Sequence, residues 1–224
     1  MDKSMALTIN PAPENLLQQS DIAVWQDIPT AVISDDLNRT QTMHAAIKPV
    51  GPGMDFAGQA LTVQTMVGDN ATLHYALAQA WPGCVLTVDA RGHAETAVWG
   101  GILTAAAIAR GVRAVIIDGA VRDVAELRES GLAVYARAAV PNGPHKGFGG
   151  TINGDIQCAG TVIRPGDLIV GDADGIVVIP DDKRRALLPQ CQARIAKEED
   201  FMARIANGES TLDLMNFPPP EEIG

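Results

Sequence analysis

Aromatic residues are scarce in this chain, at 4% of 224 residues. A core built on stacked rings is therefore excluded, and the 46% hydrophobic content must pack as Ala, Val, Leu and Ile. Cysteine is nearly absent as well: Cys84, Cys158 and Cys191 are odd in number and widely spaced. They make neither a disulfide framework nor a zinc-ligand pattern, and a reduced cytosolic chain is the simple reading. Basic residues are outnumbered, with 17 Lys and Arg against 27 Asp and Glu, a net charge of −10. A nucleic-acid surface needs a basic patch, so no nucleic-acid partner is expected. No apolar run reaches spanning length and no apolar signal core opens the chain, so a soluble, cytoplasmic protein with no membrane partner is expected.

Two ligand motifs are missing too. Gly147-Phe148-Gly149-Gly150 lacks the spacing of a dinucleotide fingerprint and the strand–helix context it needs. Asp172-Ala173-Asp174-Gly175 opens like a calcium loop, but the later ligands are absent and a turn is expected.

What is present gathers around residues 100–123. Gly100 and Gly101 precede an Ala-rich stretch, Leu103 to Arg110, that favours helix and is stopped by Gly111. Ala114 to Ile117 reads as a strand buried on both faces, with Arg122 and Asp123 beyond its end. In open α/β sheets, functional groups collect outside the carboxyl ends of strands. The first turn of a helix offers unpaired N–H groups to an anion, Arg122 a planar fork for a carboxylate, and Asp123 a hard oxygen for a divalent metal. Each feature alone has a plainer explanation: an Arg–Asp pair is common on surfaces, and Gly-Gly can be mere punctuation. The joint spacing is what points to a site for a small oxo acid.

That spacing, Gly101, twenty residues, Arg122-Asp123, two residues, Glu126, resembles the signature of the class II pyruvate aldolases of the RraA-like family. Trp99-Gly100-Gly101-Ile102-Leu103, Ile117 to Asp123, Pro165-Gly166-Asp167 and Gly171 to Pro180 resemble the family as well. The resemblance covers about residues 28 to 207, leaving an N-terminal arm (1–27) and a C-terminal tail (208–224). It implies an α/β fold, a swivelling β/β/α-type core arranged as an αββαβ sandwich, assembled as a homotrimer or homohexamer. It also implies cleavage of 4-hydroxy-4-methyl-2-oxoglutarate or 4-carboxy-4-hydroxy-2-oxoadipate to pyruvate and an oxo acid. Magnesium or manganese would be bound by Asp123, largely through waters. The pyruvate moiety would sit against the amides of Gly100, Gly101, Ile102 and Leu103, with Arg122 on the keto oxygen. Oxaloacetate decarboxylation is expected too, since both reactions pass through pyruvate enolate. The family also includes proteins that bind and inhibit a ribonuclease and lack the Asp after the Arg; here Asp123 is present. The family's older label of quinone methyltransferase finds no motif for a methyl donor.

An aldolase must stabilise an enolate, and Schiff-base enzymes need a desolvated lysine. Lys3, Lys48, Lys146, Lys183 and Lys197 all lie outside apolar strands, which favours metal-assisted chemistry. Residues 1 to about 13 read as a loose arm and Glu14 to Gln19 as a short helix. Helices are expected over Ala31 to Leu37, Ala71 to Ala80 and Val124 to Ser130, and strands over Gly58 to Val67 and Leu132 to Tyr135. Pro82 to Gly92 reads as turn, strand, turn, with His93 and Glu95 in a loop that could support the site. Asn70 reads as a helix cap and His74 as an ordinary histidine; Asp35, Asp36 and Arg39 read as a solvated helix end. Glu126 could pair with Arg122 or hold a metal-bound water. Pro141 to Gly154 reads as a mobile loop near the site or at a subunit contact, with Lys146 a candidate anion contact. Residues 181–206 read as amphipathic helix, kinked or restarted at Pro189. The catalytic base is not legible; Glu198 or Glu199 of a neighbouring subunit are candidates.

Overall fold

A parallel run of four strands joined by three short helices forms the middle of the molecule in the computed structural model, which describes residues 6–221. In chain order the elements are β1 (Leu7–Ile9), α1 (Gln19–Ala23), α2 (Thr30–Asp36), β2 (Lys48–Pro49), β3 (Phe56–Thr65), α3 (Ala71–Gln79), β4 (Val85–Trp99), α4 (Gly101–Ala109) and β5 (Ala114–Val121). Then follow α5 (Val124–Glu129), β6 (Ala133–Ala139), β7 (Gly150–Ile152), β8 (Ile156–Cys158), β9 (Thr161–Ile163), β10 (Leu168–Gly171), β11 (Ile176–Ile179), α6 (Asp181–Ala206) and α7 (Thr211–Met215). The sheet runs β1-β7-β3-β4-β5-β6-β2, with β3 to β6 parallel. The first half of β3 pairs antiparallel with β10, which pairs with β11.

Alternation along the central strands divides the core. Val115 and Ile117 of β5 pack with Leu73, Leu77, Leu103 and Ala107 on the helical face. Ala114 and Ile116 face the opposite way, onto Ile156, Ile163, Ile169 and Val178 of the small strands. The result is the expected α/β fold with β/β/α layering. Every residue of β5 is buried, as its apolar, β-branched sequence requires. Each of its Val and Ile side chains contributes roughly 1.5–3 kcal/mol by leaving water. A third cluster, including Trp25, Ile33, Val177, Leu187 and Cys191, holds α2 and α6 to the edge of β10 and β11. All three cysteines are free and buried. Burial pushes the Cys84 thiol up to about 11 and raises Cys158 too, so neither is a thiolate at neutral pH. Among the described residues no helix is long and apolar enough to cross a membrane.

Several expectations are revised. The N-terminal arm is partly structured: Leu7–Ile9 lies parallel to Gly150–Ile152. Gly149 permits this, because a Cβ there would collide with the Ala6 carbonyl. The short helix starts at Gln19, not Glu14. The segment before it is held by the Gln59 side chain, which accepts from Leu17 N–H at 2.7 Å and donates to the Asn15 carbonyl at 3.3 Å. β4 continues to Trp99 through His93 and Glu95, its pairing with β5 shifting at irregular steps after Asp89. α6 is one continuous helix despite Pro189; that residue is exposed, so water can satisfy the carbonyl its missing N–H leaves free. Residues 211–215, expected as tail, form α7, capped by the Ser210 hydroxyl. Asp172 to Gly175 is a turn as expected, closed by Asp172 N–H to the Gly175 carbonyl, and the Asp172 carboxylate caps α2 through Thr30.

Candidate active site

The ends of β4 and β5 deliver the site side by side. Trp99 closes β4, and its carbonyl accepts from the Arg122 N–H at 2.9 Å. Its buried indole N–H donates to Thr104 Oγ1 at 2.8 Å, tying the strand end to α4. After Arg122 the chain turns at Asp123 through φ +59, ψ 38, a left-handed conformation that non-glycine residues adopt rarely and that clusters at functional sites. The turn aims the carboxylate back at α4. Asp123 Oδ2 accepts from the Gly101 N–H at 3.0 Å and stands 3.6 Å from Arg122 Nε.

This close approach explains both glycines. A Cβ on Gly100 would lie 2.6 Å from Asp123 Oδ2 and 3.0 Å from Arg122 Cγ. A Cβ on Gly101 would strike the Glu126 carboxylate. With the Gly101 N–H taken by Asp123 and the Trp99 carbonyl taken by Arg122, the N–H groups of Ile102 and Leu103 remain for an anion.

The opposite wall comes from the start of α3 and the 141–149 loop. Asp69 is fully buried; its carboxylate accepts from Ala71 N–H at 2.9 Å, Gly147 N–H at 2.8 Å and Phe148 N–H at 3.2 Å. Further bonds from His145 N–H to the Gly68 carbonyl and from Ala97 N–H to the Asn142 carbonyl tie the loop down. The loop expected to be mobile is thus anchored beside the site, and it carries Lys146 there.

Between the two walls lies a narrow cleft of about 50 Å³, partly open to solvent, lined by Asn70, His74, Gly100 to Leu103, Arg122 and Lys146. No Asp or Glu lines it. Arg122 also lines an adjoining, more open pocket with Asp123. Partial desolvation, then the Lys146 charge, holds the His74 imidazole below its ordinary value. The nearby carboxylates are Asp123 and Glu126, and among the described residues no group of three or more His, Cys, Asp or Glu could hold a metal.

The structure therefore brings together Gly100, Gly101, Ile102, Leu103, Arg122 and Asp123. Glu126 stands over Gly101 rather than pairing with Arg122. Asn70 occupies the cap position of α3, but its side chain does not cap; Asp69 does that work. Asn70 and His74 were readable as site residues only through their i, i+4 spacing, which puts both on one helix face. His93 pairs with Thr96 at 3.2 Å and does not line the cleft. Asp36 is held by Arg194 at 2.7 Å rather than solvated. Glu198 and Glu199 lie exposed on α6 and do not line the cleft.

Residues 30–178 match the RraA-like family model, described as Aldolase/RraA. A Halalkalibacterium halodurans protein provisionally named as a 4-hydroxy-4-methyl-2-oxoglutarate aldolase is 35% identical over 178 residues, covering 80% of this chain and 85% of its own length. A Thermus thermophilus 4-hydroxy-4-methyl-2-oxoglutarate aldolase is 32% identical over 152 residues, covering 68% of this chain and 92% of its own. A solved structure described as the RNA-processing inhibitor RraA, from the same Thermus species, superposes with a TM-score of 0.63 at 32% identity, covering 68% of this chain and 92% of that one.

Proposed function

Because the chain belongs to the Aldolase/RraA family, we propose that it is a divalent-metal-dependent class II aldolase. It cleaves 4-hydroxy-4-methyl-2-oxoglutarate, or a related 4-hydroxy-2-oxo acid, to pyruvate and an oxo acid, and it also decarboxylates oxaloacetate. The observation that carries this reading is the charge of the cleft. In a chain of net charge −10, the cleft is lined by Arg122 and Lys146 with no acid, and one carboxylate, Asp123, stands at its edge. Two cations, of which only Arg122 has a carboxylate close by (Asp123, 3.6 Å), suit a dicarboxylate substrate.

The donor set fits a hard divalent ion that keeps several waters: Asp123 is half-exposed, Glu126 is near, and no cage of protein ligands surrounds them. Magnesium or manganese held by Asp123, largely through water, would supply Lewis-acid stabilisation of a 2-oxo acid. The chain's own groups do the rest. The N–H groups of Ile102 and Leu103 hold the pyruvyl carboxylate. Arg122 donates to the keto oxygen and stabilises the charge that grows there as the enolate forms. Lys146 holds the second carboxylate. Retro-aldol cleavage removes the C4 hydroxyl proton and breaks the C3–C4 bond. Its electron pair passes to the pyruvate enolate, C4 becomes a carbonyl, and protonation at C3 gives pyruvate. We assign the active assembly as a homotrimer or homohexamer, in which a neighbouring subunit could supply the missing base.

The experiment is pyruvate release from 4-hydroxy-4-methyl-2-oxoglutarate and, separately, from oxaloacetate, each with magnesium and with chelator. Metal-dependent release from both is expected. Full activity in chelator would sink the metal assignment. A non-catalytic, ribonuclease-regulating role is the second reading, favoured by the structural likeness to the Thermus inhibitor. No release from either substrate, together with recovery of a ribonuclease on the immobilised protein, would establish it.

A further inference from the structure

One residue that lines the cleft carries a buried polar atom without a partner. Asn70 is 6% exposed and lines the cleft across from Gly100 to Leu103. Its Nδ2 donates to the Val98 carbonyl at 3.1 Å, inside the end of β4. Its Oδ1 is buried and accepts no hydrogen bond. The amide cannot be turned over to relieve this, because Oδ1 would then face the Val98 carbonyl, acceptor against acceptor. An unsatisfied buried acceptor costs stability, so its retention calls for an explanation. Lys146 and Arg122, which line the same cleft, are donors already suited to carboxylates, and the Asn70 backbone N–H is spent on the His145 carbonyl. Asn70 therefore holds, at the cleft wall, one neutral acceptor with almost no accessible surface, which a ligand hydroxyl reaches only when the side chains over it move aside.

We propose that Asn70 Oδ1 is the acceptor for the C4 hydroxyl of the substrate, and so selects 4-hydroxy-2-oxo acids over 2-oxo acids that lack the hydroxyl. This rests on the aldolase reading and adds a specificity-determining residue to it. Asn70 orients the hydroxyl and takes no proton; the proton leaves C4–OH to the base as the C3–C4 bond breaks, and the bond's electrons pass to the enolate. A site built around a substrate hydroxyl rejects analogues without one, because its own buried group is then left unpaired.

Oxaloacetate makes the test possible, since its decarboxylation passes through the same enolate without any C4 hydroxyl. With magnesium present, Asn70→Ala should lower kcat/KM for cleavage of 4-hydroxy-4-methyl-2-oxoglutarate by about ten- to a hundred-fold. Oxaloacetate decarboxylation should change by less than about three-fold. Asn70→Ser, whose hydroxyl can accept, should recover part of the cleavage. A purely structural role at Val98 would depress both reactions equally, and that outcome would overturn the proposal. The unmodified protein gives a second readout that needs no variant. 4-Methyl-2-oxoglutarate, the analogue without the hydroxyl, should inhibit with Ki at least ten-fold above that of its 4-hydroxy counterpart measured against oxaloacetate. Equal inhibition would overturn the proposal. If the wild-type protein releases pyruvate from neither substrate, the aldolase reading falls and this inference falls with it. Activity on both with an unchanged ratio in Asn70→Ala removes this inference alone.

Discussion

Asp123 and Gly101, twenty-two residues apart, are joined by a hydrogen bond of 3.0 Å from the glycine N–H to the aspartate carboxylate. The bond couples the first turn of α4 to the end of β5. It also divides the local labour: one carboxylate oxygen ties down the first turn of α4, and the other takes no part in that bond.

The two glycines of that turn should respond unequally to substitution. Gly100→Ala places a methyl group 2.6 Å from Asp123 Oδ2 and 3.0 Å from Arg122 Cγ, so both functional side chains must move. Gly101→Ala meets only the Glu126 carboxylate, the end of an exposed, flexible side chain that can swing away. Neither position has a φ reserved for glycine. Pyruvate-release kinetics should show a loss of about 10²-fold for Gly100→Ala and under about ten-fold for Gly101→Ala, since small misplacements of positioned groups cost that much. Equal losses would contradict the geometry.

Arg122 should matter for turnover and little for stability. Its side chain is 40% exposed and its contact to Asp123 is long, so Arg122→Ala should leave thermal stability within about 0.5 kcal/mol of wild type. Losing one donor to a developing oxyanion typically costs about 10²–10³ in rate. Arg122→Lys keeps the charge without the planar fork and should fall between. A folded Arg122→Ala protein with near wild-type kcat would remove the assigned role.

Asp69 should behave in the opposite way, as an anchor. Asp69→Ala strips the acceptor from three backbone N–H groups at once; that of Ala71 is buried, where an unsatisfied donor costs about 1–3 kcal/mol, and the exposed Gly147 and Phe148 lose their tie to the start of α3. A loss of about 1–3 kcal/mol, or a drop in Tm of roughly 2–12 °C, is expected by calorimetry. Limited proteolysis should then cut within residues 141–149, which the wild type protects. Wild-type resistance in Asp69→Ala would show that the loop is held by something else.

His74 links the cleft to pH. Desolvation and Lys146 disfavour its protonated form in the folded chain, so its folded pKa lies below the unfolded value of about 6.5. Above that value the group is neutral in both states and costs nothing. As pH falls below it, the unfolded chain takes up the proton first and stability declines, until the folded pKa is passed. Melting temperatures from pH 8 to pH 5 should therefore drop further for the wild type than for His74→Gln. Parallel curves would mean that His74 titrates like a free histidine.

The outcome at each element follows from how local its cause is. The helix at Gly101, the all-buried strand at Ala114 and the left edge of α3 were legible because propensity, stop signals and apolar runs act within a few residues. β4 was misread because Arg91 and Gly92, both at positive φ, look like a turn. Pairing with β5 resumes at His93 and carries the strand on to Trp99. Asn70 was misread for a related reason. An Asn at a helix start is normally a cap, and only the Val98 carbonyl, 28 residues on, diverts its amide. The order of the site in space, with the Lys146 loop held across from Gly100 by the bonds from Gly147 and Phe148 N–H to Asp69, joins residues up to 79 apart in the chain.

The sequence by itself determined the α/β alternation, the composition of the core and the pairing of a glycine turn with an Arg-Asp dipeptide. Periodicity and residue chemistry are written position by position, so these could be read without coordinates. Tertiary structure alone decided which N–H groups remain free, that Asp69 rather than Asn70 caps α3, and that one amide oxygen is buried beside the cleft without a partner. Each of those depends on a partner brought close by strand pairing. Hydrogen-bond satisfaction is settled by what lies within about 3 Å in space, and neighbours in sequence do not reveal it.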